Sequence, residues 1–347
     1  MTAPVGTAGP AARVSAAGID PELVDVRRLD CWEVNLAVAL AAVGERDIRS
    51  LLGAQWWFAP APGPTAAPAL DFEEQSARIA RLTGRRPEVV RPAPGALAGT
   101  CSEIIAAGGV PVVVADAHDL PWTPYAGRRH VEHSLVVTAV GAAGTAGPPP
   151  GALAFTDAYD NRTEWGDAVP LDGVAGPDVV AAMERADGVR VVAVHGGPPG
   201  RVGPSIDRRA LLVENATALG AWATGDPYAS LADPASLPIG DAEAFAAFCE
   251  LCWTIERRRA LFGRWLEDLA ADPDVPEVEV PQLRGLAARF AEAVPPRWST
   301  VNRFAYLALR RLRAGHAASP DRIADLVAAA ADAERSLAAD VHRQWGA

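Results

Sequence analysis

Apolar positions change their spacing once along the 347-residue chain. Up to about residue 200, short β-branched runs are interspersed with helical segments; beyond it, apolar residues recur almost solely at helical spacing. Val89–Arg91, Val110–Asp116, Ser134–Ala142, Leu153–Asp157 and Val189–His195 read as strands; of these VPVVVAD and VRVVAVH are β-branched and bounded by Gly or Asp. A helix opens at Asp30 or Cys31. Asp30 can cap it, and Val34, Leu36, Val38, Leu40 and Val43 make it apolar on most sides, which predicts a buried helix. Asp71–Leu82 and Ser102–Ala107 are two further helices. After the change of spacing, helices are predicted over Arg208–Ala221, Asp241–Ala271, Pro281–Ala293, Val301–Ala314 and Ser319–Trp345. A buried helix ahead of antiparallel strands predicts an α+β fold; a doubly wound fold would need strand–helix alternation and a Gly-rich first turn, and the sequence has neither. The expected organisation is a disordered tail over 1–18, an α+β domain over 19–200, a linker at Gly196–Pro204 (GGPPGRVGP) and an all-α domain over 205–347.

Composition narrows the chemistry. The chain has 43 acidic against 32 basic residues, a formal charge of −11, and every basic residue is arginine. Without lysine there is no Schiff base, no lysine nucleophile and no P-loop lysine. The acidic balance argues against a nucleic-acid or anionic-membrane partner. No apolar run is long enough to span a membrane, and Met1–Gly18 lacks the basic and apolar regions of a secretory signal. Four cysteines make no disulfide framework, so a cytoplasmic, reduced protein is expected.

Cysteine catalysis needs a presented thiol, a base within hydrogen-bond reach and a group to orient that base. Cys31 stands at a helix start, where unsatisfied N–H groups and the helix dipole favour an anion. His133 begins one strand, and Asp157 ends the next. Neighbouring antiparallel strands bring such a pair together. Each residue also has a plain structural reading: a buried cysteine as packing, a histidine at a strand start, an aspartate in a turn. The order Cys on a buried helix, His on one strand and Asp on the next is a papain-like arrangement. No GxSxG elbow or HExxH motif provides an anchor for other hydrolase chemistry.

Other sites compete with this one. Cys101 also precedes a helix. Cys249 and Cys252 form CELC within a helical stretch and lack a second ligand pair, so they read as helix core. His118, His130 and His133 cluster with Asp116, Asp119 and Glu132 as an acidic loop or a metal site. Arg257, Arg258 and Arg259 read as a solvated helix face or as a docking patch for an acidic carrier protein or phosphate. Trp56, Trp57 and Phe58 read as a substrate-channel wall or as core.

The segments LDCWEVNLAVALAAVG, GGVPVVVADAHDLPWTPY, VEHSLVVTAVG and LAFTDAYDN together resemble, in order and spacing, the butirosin biosynthesis protein H-like family. The resemblance implies a papain-like, C39-peptidase-like N-terminal domain followed by a helical domain. It also implies an acyltransferase that moves an acyl group from an acyl carrier protein thioester, on a phosphopantetheine arm, to a small-molecule amine, with no other cofactor. Cys31 then matches the nucleophile, His133 the base and Asp157 the orienting acid, with Asp119 before the turn Leu120-Pro121-Trp122. The chain departs from the pattern at Asp30, at GAQWWFAPAPG and at Gly141-Ala142. The Cys31 backbone N–H is expected as one oxyanion donor, with Asn35 and Gln55 as candidates for the second. Alternatives with the same triad are a thioesterase or cysteine peptidase, and a papain-like binding module with an inert Cys31.

Overall fold

The computed structural model describes residues 27–56, 72–144, 147–163, 165–185, 188–196, 206–221 and 227–346. The expected tail over 1–18, Trp57, Phe58 and most of the Gly196–Pro204 linker lie outside the described residues. The chain divides into two compact units, one of Met1–Ile48 with Ser76–Pro204, the other of Arg49–Gln75 with Ser205–Ala347.

The first unit is α+β. Helix α1 spans Cys31–Ala42 and starts where the sequence says it should. Asp30 accepts from the Glu33 N–H at 2.7 Å while Glu33 reaches back to the Asp30 N–H, a capping box that fixes the helix start at Cys31. A short helix, α2 (Ile48–Leu52), carries the chain across the unit boundary, and α3 (Phe72–Thr83) carries it back. Then follow β1 (Glu88–Val90), α4 (Leu97–Ala106), β2 (Gly109–Asp116), β3 (Glu132–Val140), β4 (Leu153–Asp157), β5 (Asn161–Thr163), β6 (Gly166–Ala168), β7 (Leu171–Ala175), α5 (Pro177–Arg185) and β8 (Arg190–His195). Six strands form one sheet in the order β1-β8-β2-β3-β4-β7, with each neighbouring pair antiparallel; β5 and β6 form a separate hairpin.

Side-chain alternation gives the sheet two covered faces. Val113, Ala115, Leu135, Val137, Phe155, Val191 and Ala193 pack against Leu97, Cys101 and Ile104 of α4 and Val180 and Met183 of α5. Helix α1 packs on β2 and β3, and Asn35 bonds to Ser134 there, on the other set of alternating positions. This double cover explains why the central strands read as continuous valine runs. Gly141 ends β3 beside the backbone of Pro149, so closely that a Cβ would collide with the Pro149 carbonyl.

The sequence does not signal β5, β6, β7 or α5. Their strands are short and half-exposed, with few β-branched residues.

The second unit is helical: α6 (Arg208–Ala221), α7 (Pro227–Leu231), α8 (Ala242–Ala271), α9 (Val280–Ala293), α10 (Pro295–Arg313) and α11 (Pro320–Trp345), joined by the segment Arg49–Gln75. Helix α8 packs against α9 and α10, and α11 against α6 and α10. Helix α10 starts six residues before its predicted first residue because Pro295 and Pro296 occupy the first turn, where a missing N–H costs no hydrogen bond.

Trp56 belongs to this core. It is fully buried, stacked on Phe262 (centroids 5.1 Å apart) and edge-on to Phe290 (5.4 Å). The expectation that Trp56 lines a substrate channel is therefore corrected: its ring has no open face. The expectation of a docking patch at Arg257–Arg259 is corrected at its third member. Arg259 is fully buried and ion-paired to Glu334 at 2.8 Å. The run lies on a helix that turns about 100° per residue, so consecutive arginines cannot share one face. Arg257 stacks its guanidinium 4.4 Å above Trp253.

Candidate active site

Three elements of the first unit bring Cys31, His133 and Asp157 together. Cys31 is the first residue of α1, so its N–H has no acceptor within the helix. His133 is the second residue of β3, and Asp157 is the last of β4. These strands are antiparallel neighbours, with Val136 opposite Thr156, and a register shift between Val137 and Ala139.

His133 Nε2 lies 2.7 Å from Asp157 Oδ2, with both side chains almost wholly buried. The Cys31 side chain is close enough to this imidazole to help raise its pKa, and Nδ1 is the ring nitrogen that Asp157 leaves open. The Cys31 Sγ also lies 3.8 Å from the Glu132 carbonyl oxygen. Cys31 is half-buried, so the thiol retains a path to solvent.

Burial on its own would pull the His133 pKa down. The Asp157 charge and hydrogen bond, with help from Cys31, outweigh it and raise the value to about 10. Burial likewise pushes the Asp157 carboxyl up, and the facing His133 with two further donors brings it below its ordinary value. Each partner thus favours the charged form of the other.

Asp157 is held by four donors. Oδ2 accepts from His133 and from Trp122 Nε1 at 3.2 Å; Oδ1 accepts from the Tyr159 N–H at 3.1 Å and from Asn35 Nδ2 at 3.5 Å. Trp122 is itself fixed by stacking on Phe155, with centroids 4.2 Å apart. Such a shell restricts the carboxylate to one rotamer and hence the imidazole to one orientation.

Asn35 ties the helix to the strands. One turn below Cys31 and fully buried, it donates from Nδ2 to the Cys31 carbonyl (3.0 Å) and the Ser134 carbonyl (2.8 Å), and its Oδ1 accepts from the Ala158 N–H (3.1 Å). Its two amide protons are engaged by this network, so it acts as a positioning residue and not as the second oxyanion donor. Gln55 is half-buried and belongs to the second unit. Asp119, just before the turn Leu120-Pro121-Trp122, lies 3.3 Å from His118 Nδ1 on the short 3-10 turn Ala117–Asp119. His118 stacks on His130 (centroids 4.3 Å apart), and His130 Nδ1 lies 2.6 Å from Asp116 Oδ2. These contacts close the base of the loop that carries Trp122. No group of three His, Cys, Asp or Glu residues among the described residues is arranged to hold a metal ion.

Three further contacts support the site. Ser134 Oγ donates to the Cys31 carbonyl at 2.7 Å. The Tyr159 ring meets His133 edge-on at 5.7 Å. Glu132, whose carbonyl faces the thiol, is clamped by both Arg190 guanidinium nitrogens at 2.6 and 2.8 Å. The signal for Ser134 was a hydroxyl immediately after His133, at the head of the apolar run Leu135–Val137. The Arg190 clamp depends on β8 returning beside β2, which no local pattern reveals.

The competing thiols are ruled out by burial, which pushes Cys101 and Cys249 to about 12 and Cys252 well above its ordinary value. No protein-family model matches the chain, and neither does any curated protein.

Proposed function

We propose that this protein is a cysteine-dependent acyltransferase with a papain-like first unit, using a Cys31–His133–Asp157 triad to move an acyl group from a carrier-bound thioester to an amine. The observation that carries the reading is a buried imidazole 2.7 Å from the Asp157 carboxylate, with the half-exposed Cys31 thiol near enough to act on its charge. The raised His133 value supports a protonated imidazole that can serve as proton donor in the site.

In the first half-reaction the Cys31 sulfur attacks the thioester carbonyl. The carbonyl carbon–sulfur bond to the pantetheine arm breaks, and the departing thiolate takes the proton from His133. The Cys31 N–H, at the start of α1, is one donor to the developing oxyanion. In the second, neutral His133 accepts a proton from the amine as its nitrogen attacks the acyl-enzyme, and Cys31 leaves as thiolate. Asp157 holds the imidazole orientation throughout, and Asn35, Trp122 and Ser134 hold Asp157 and the start of α1.

Hydrolysis uses the same triad with water in place of the amine. The test is product analysis with acyl-loaded carrier protein, with and without amines. Amide formation that depends on Cys31 and His133 supports transfer. Release of free acid alone, whatever amine is present, makes the enzyme a hydrolase. Unchanged turnover in Cys31→Ala overturns both.

A further inference from the structure

We propose that the exposed face of α10 (Pro295–Arg313) is the docking surface for an acidic carrier protein; the partner's identity rests on the acyl-transfer reading above. The helix places Arg297, Arg303, Arg310, Arg311 and Arg313 in one stretch and contains no Asp or Glu, in a chain of net charge −11. Its inward face is Trp298, Val301, Ala305, Ala308 and Leu309. Its outward face follows the spacing 303, 306, 310, 313, which is one stripe of a helix. Arg303, Arg310 and Arg313 are exposed along that stripe, and between them Tyr306 and Leu307 are 45% and 47% exposed.

Part of the basic charge serves the fold. Arg297 donates to the Ala293 carbonyl and Arg311 to the Ala317 carbonyl, both near helix ends. Cations in the last turn also complement the helix dipole. Neither role requires Arg303, a full turn and more from the end, nor an exposed tyrosine and leucine flanked by arginines. An apolar centre with an arginine rim is the make-up of a protein interface, whereas a phosphate backbone selects charge without an apolar centre. The helix of a carrier protein, acidic and with small apolar patches, complements both features. The α8 run Arg257–Arg259 offers no equivalent, with Arg259 buried and Arg257 stacked on Trp253.

The test uses the full chain with Cys31→Ala, which removes turnover from the binding measurement, and a panel of purified phosphopantetheinylated acyl carrier proteins as probes. The comparisons are Arg303→Glu/Arg310→Glu and Tyr306→Ala/Leu307→Ala, each checked for native helicity by circular dichroism. The expected result is salt-sensitive binding of at least one carrier, weakened at least about tenfold by either double variant. In the background with Cys31 intact, the same variants should leave reaction with an acyl-pantetheine thioester, which lacks the carrier protein, unchanged. No binding by any carrier, undiminished binding by both double variants, or equal α10-dependent binding to single-stranded DNA or anionic vesicles overturns the proposal. If acyl-pantetheine fails to acylate Cys31, the acyl-transfer reading falls, while the binding measurement still decides whether α10 captures an acidic carrier.

Discussion

Each unit of this protein buries a carboxylate held by four donors, and the two sites differ in what surrounds that carboxylate. Asp157 accepts from His133, Trp122, the Tyr159 N–H and Asn35. Glu334, fully buried on α11, accepts from Arg259 (2.8 Å), Trp298 (2.6 Å), Trp56 (3.0 Å) and Tyr228 (2.6 Å), and Arg259 also bonds Tyr228. Both pair a charge with a cation and a tryptophan N–H. At Glu334 the cation is an arginine, which stays charged, and every partner is sealed from solvent; nothing there can exchange a proton. At Asp157 the partner is a histidine, which can titrate, and a half-exposed thiol lies near enough to act on its charge. Burial and a charge pair therefore do not mark an active site. A titratable partner beside a half-exposed thiol is what makes the Asp157 site the candidate.

The contrast between the two sites breaks most visibly at the nucleophile. Cys31→Ala should lower turnover by on the order of 10⁴-fold or more with stability nearly unchanged, measured by single-turnover kinetics and urea unfolding. Asp157→Asn keeps the shape of the carboxylate and should cost on the order of 10²–10⁴ in turnover. Glu334→Ala should do the opposite. It leaves Arg259 buried without its carboxylate, so the second unit should lose about 3–5 kcal/mol of stability, read by denaturant unfolding, while Cys31 in the folded protein still takes up acyl groups.

A smaller effect sharpens the role of Trp122. Trp122→Phe keeps the stack on Phe155 and removes one donor to Asp157, which should cost about 1–2 kcal/mol, or roughly tenfold, in turnover. The pH optimum should shift as well, a readout that a purely structural role would leave alone.

The smallest expected effect is in stability against pH. His133 is raised from 6.5 to about 10, so its contribution is fully present below pH 6.5 and declines as pH rises towards 10. Asp157 is lowered from 3.8, so on the acid side the same interaction is present above that value and is lost as pH falls through the lower folded value. The difference in unfolding free energy between the natural protein and Asp157→Asn should thus be largest between about pH 4 and 6.5 and shrink at both ends.

Much of this was legible from residue order. The capped start of α1 at Cys31, the valine-rich strands β2, β3 and β8, the strand β4, and the long helices of the second unit follow from caps and periodicity. So does the meeting of His133 and Asp157 on adjacent strands. What stayed hidden depends on long-range packing. Trp56 lies in sequence between two segments of the first unit. It belongs to the helical core all the same, because its partners Phe262, Phe290 and Glu334 come from distant helices. Arg259 looked like one of three surface arginines until Glu334, on another helix, gave it a buried partner. Asn35 read as a donor to substrate because local spacing shows that it lies one turn from Cys31, but not that Ser134 and Ala158 already occupy its amide.

The acyl-enzyme itself is the direct test of the central claim. Rapid quenching of the protein with an acyl-pantetheine thioester, followed by peptide mass spectrometry, should find the acyl mass on the Cys31 peptide within one turnover. That adduct should disappear in Cys31→Ala and discharge on addition of an amine. An unmodified Cys31 under turnover, or an acyl group carried only by Cys101, Cys249 or Cys252, would contradict the account.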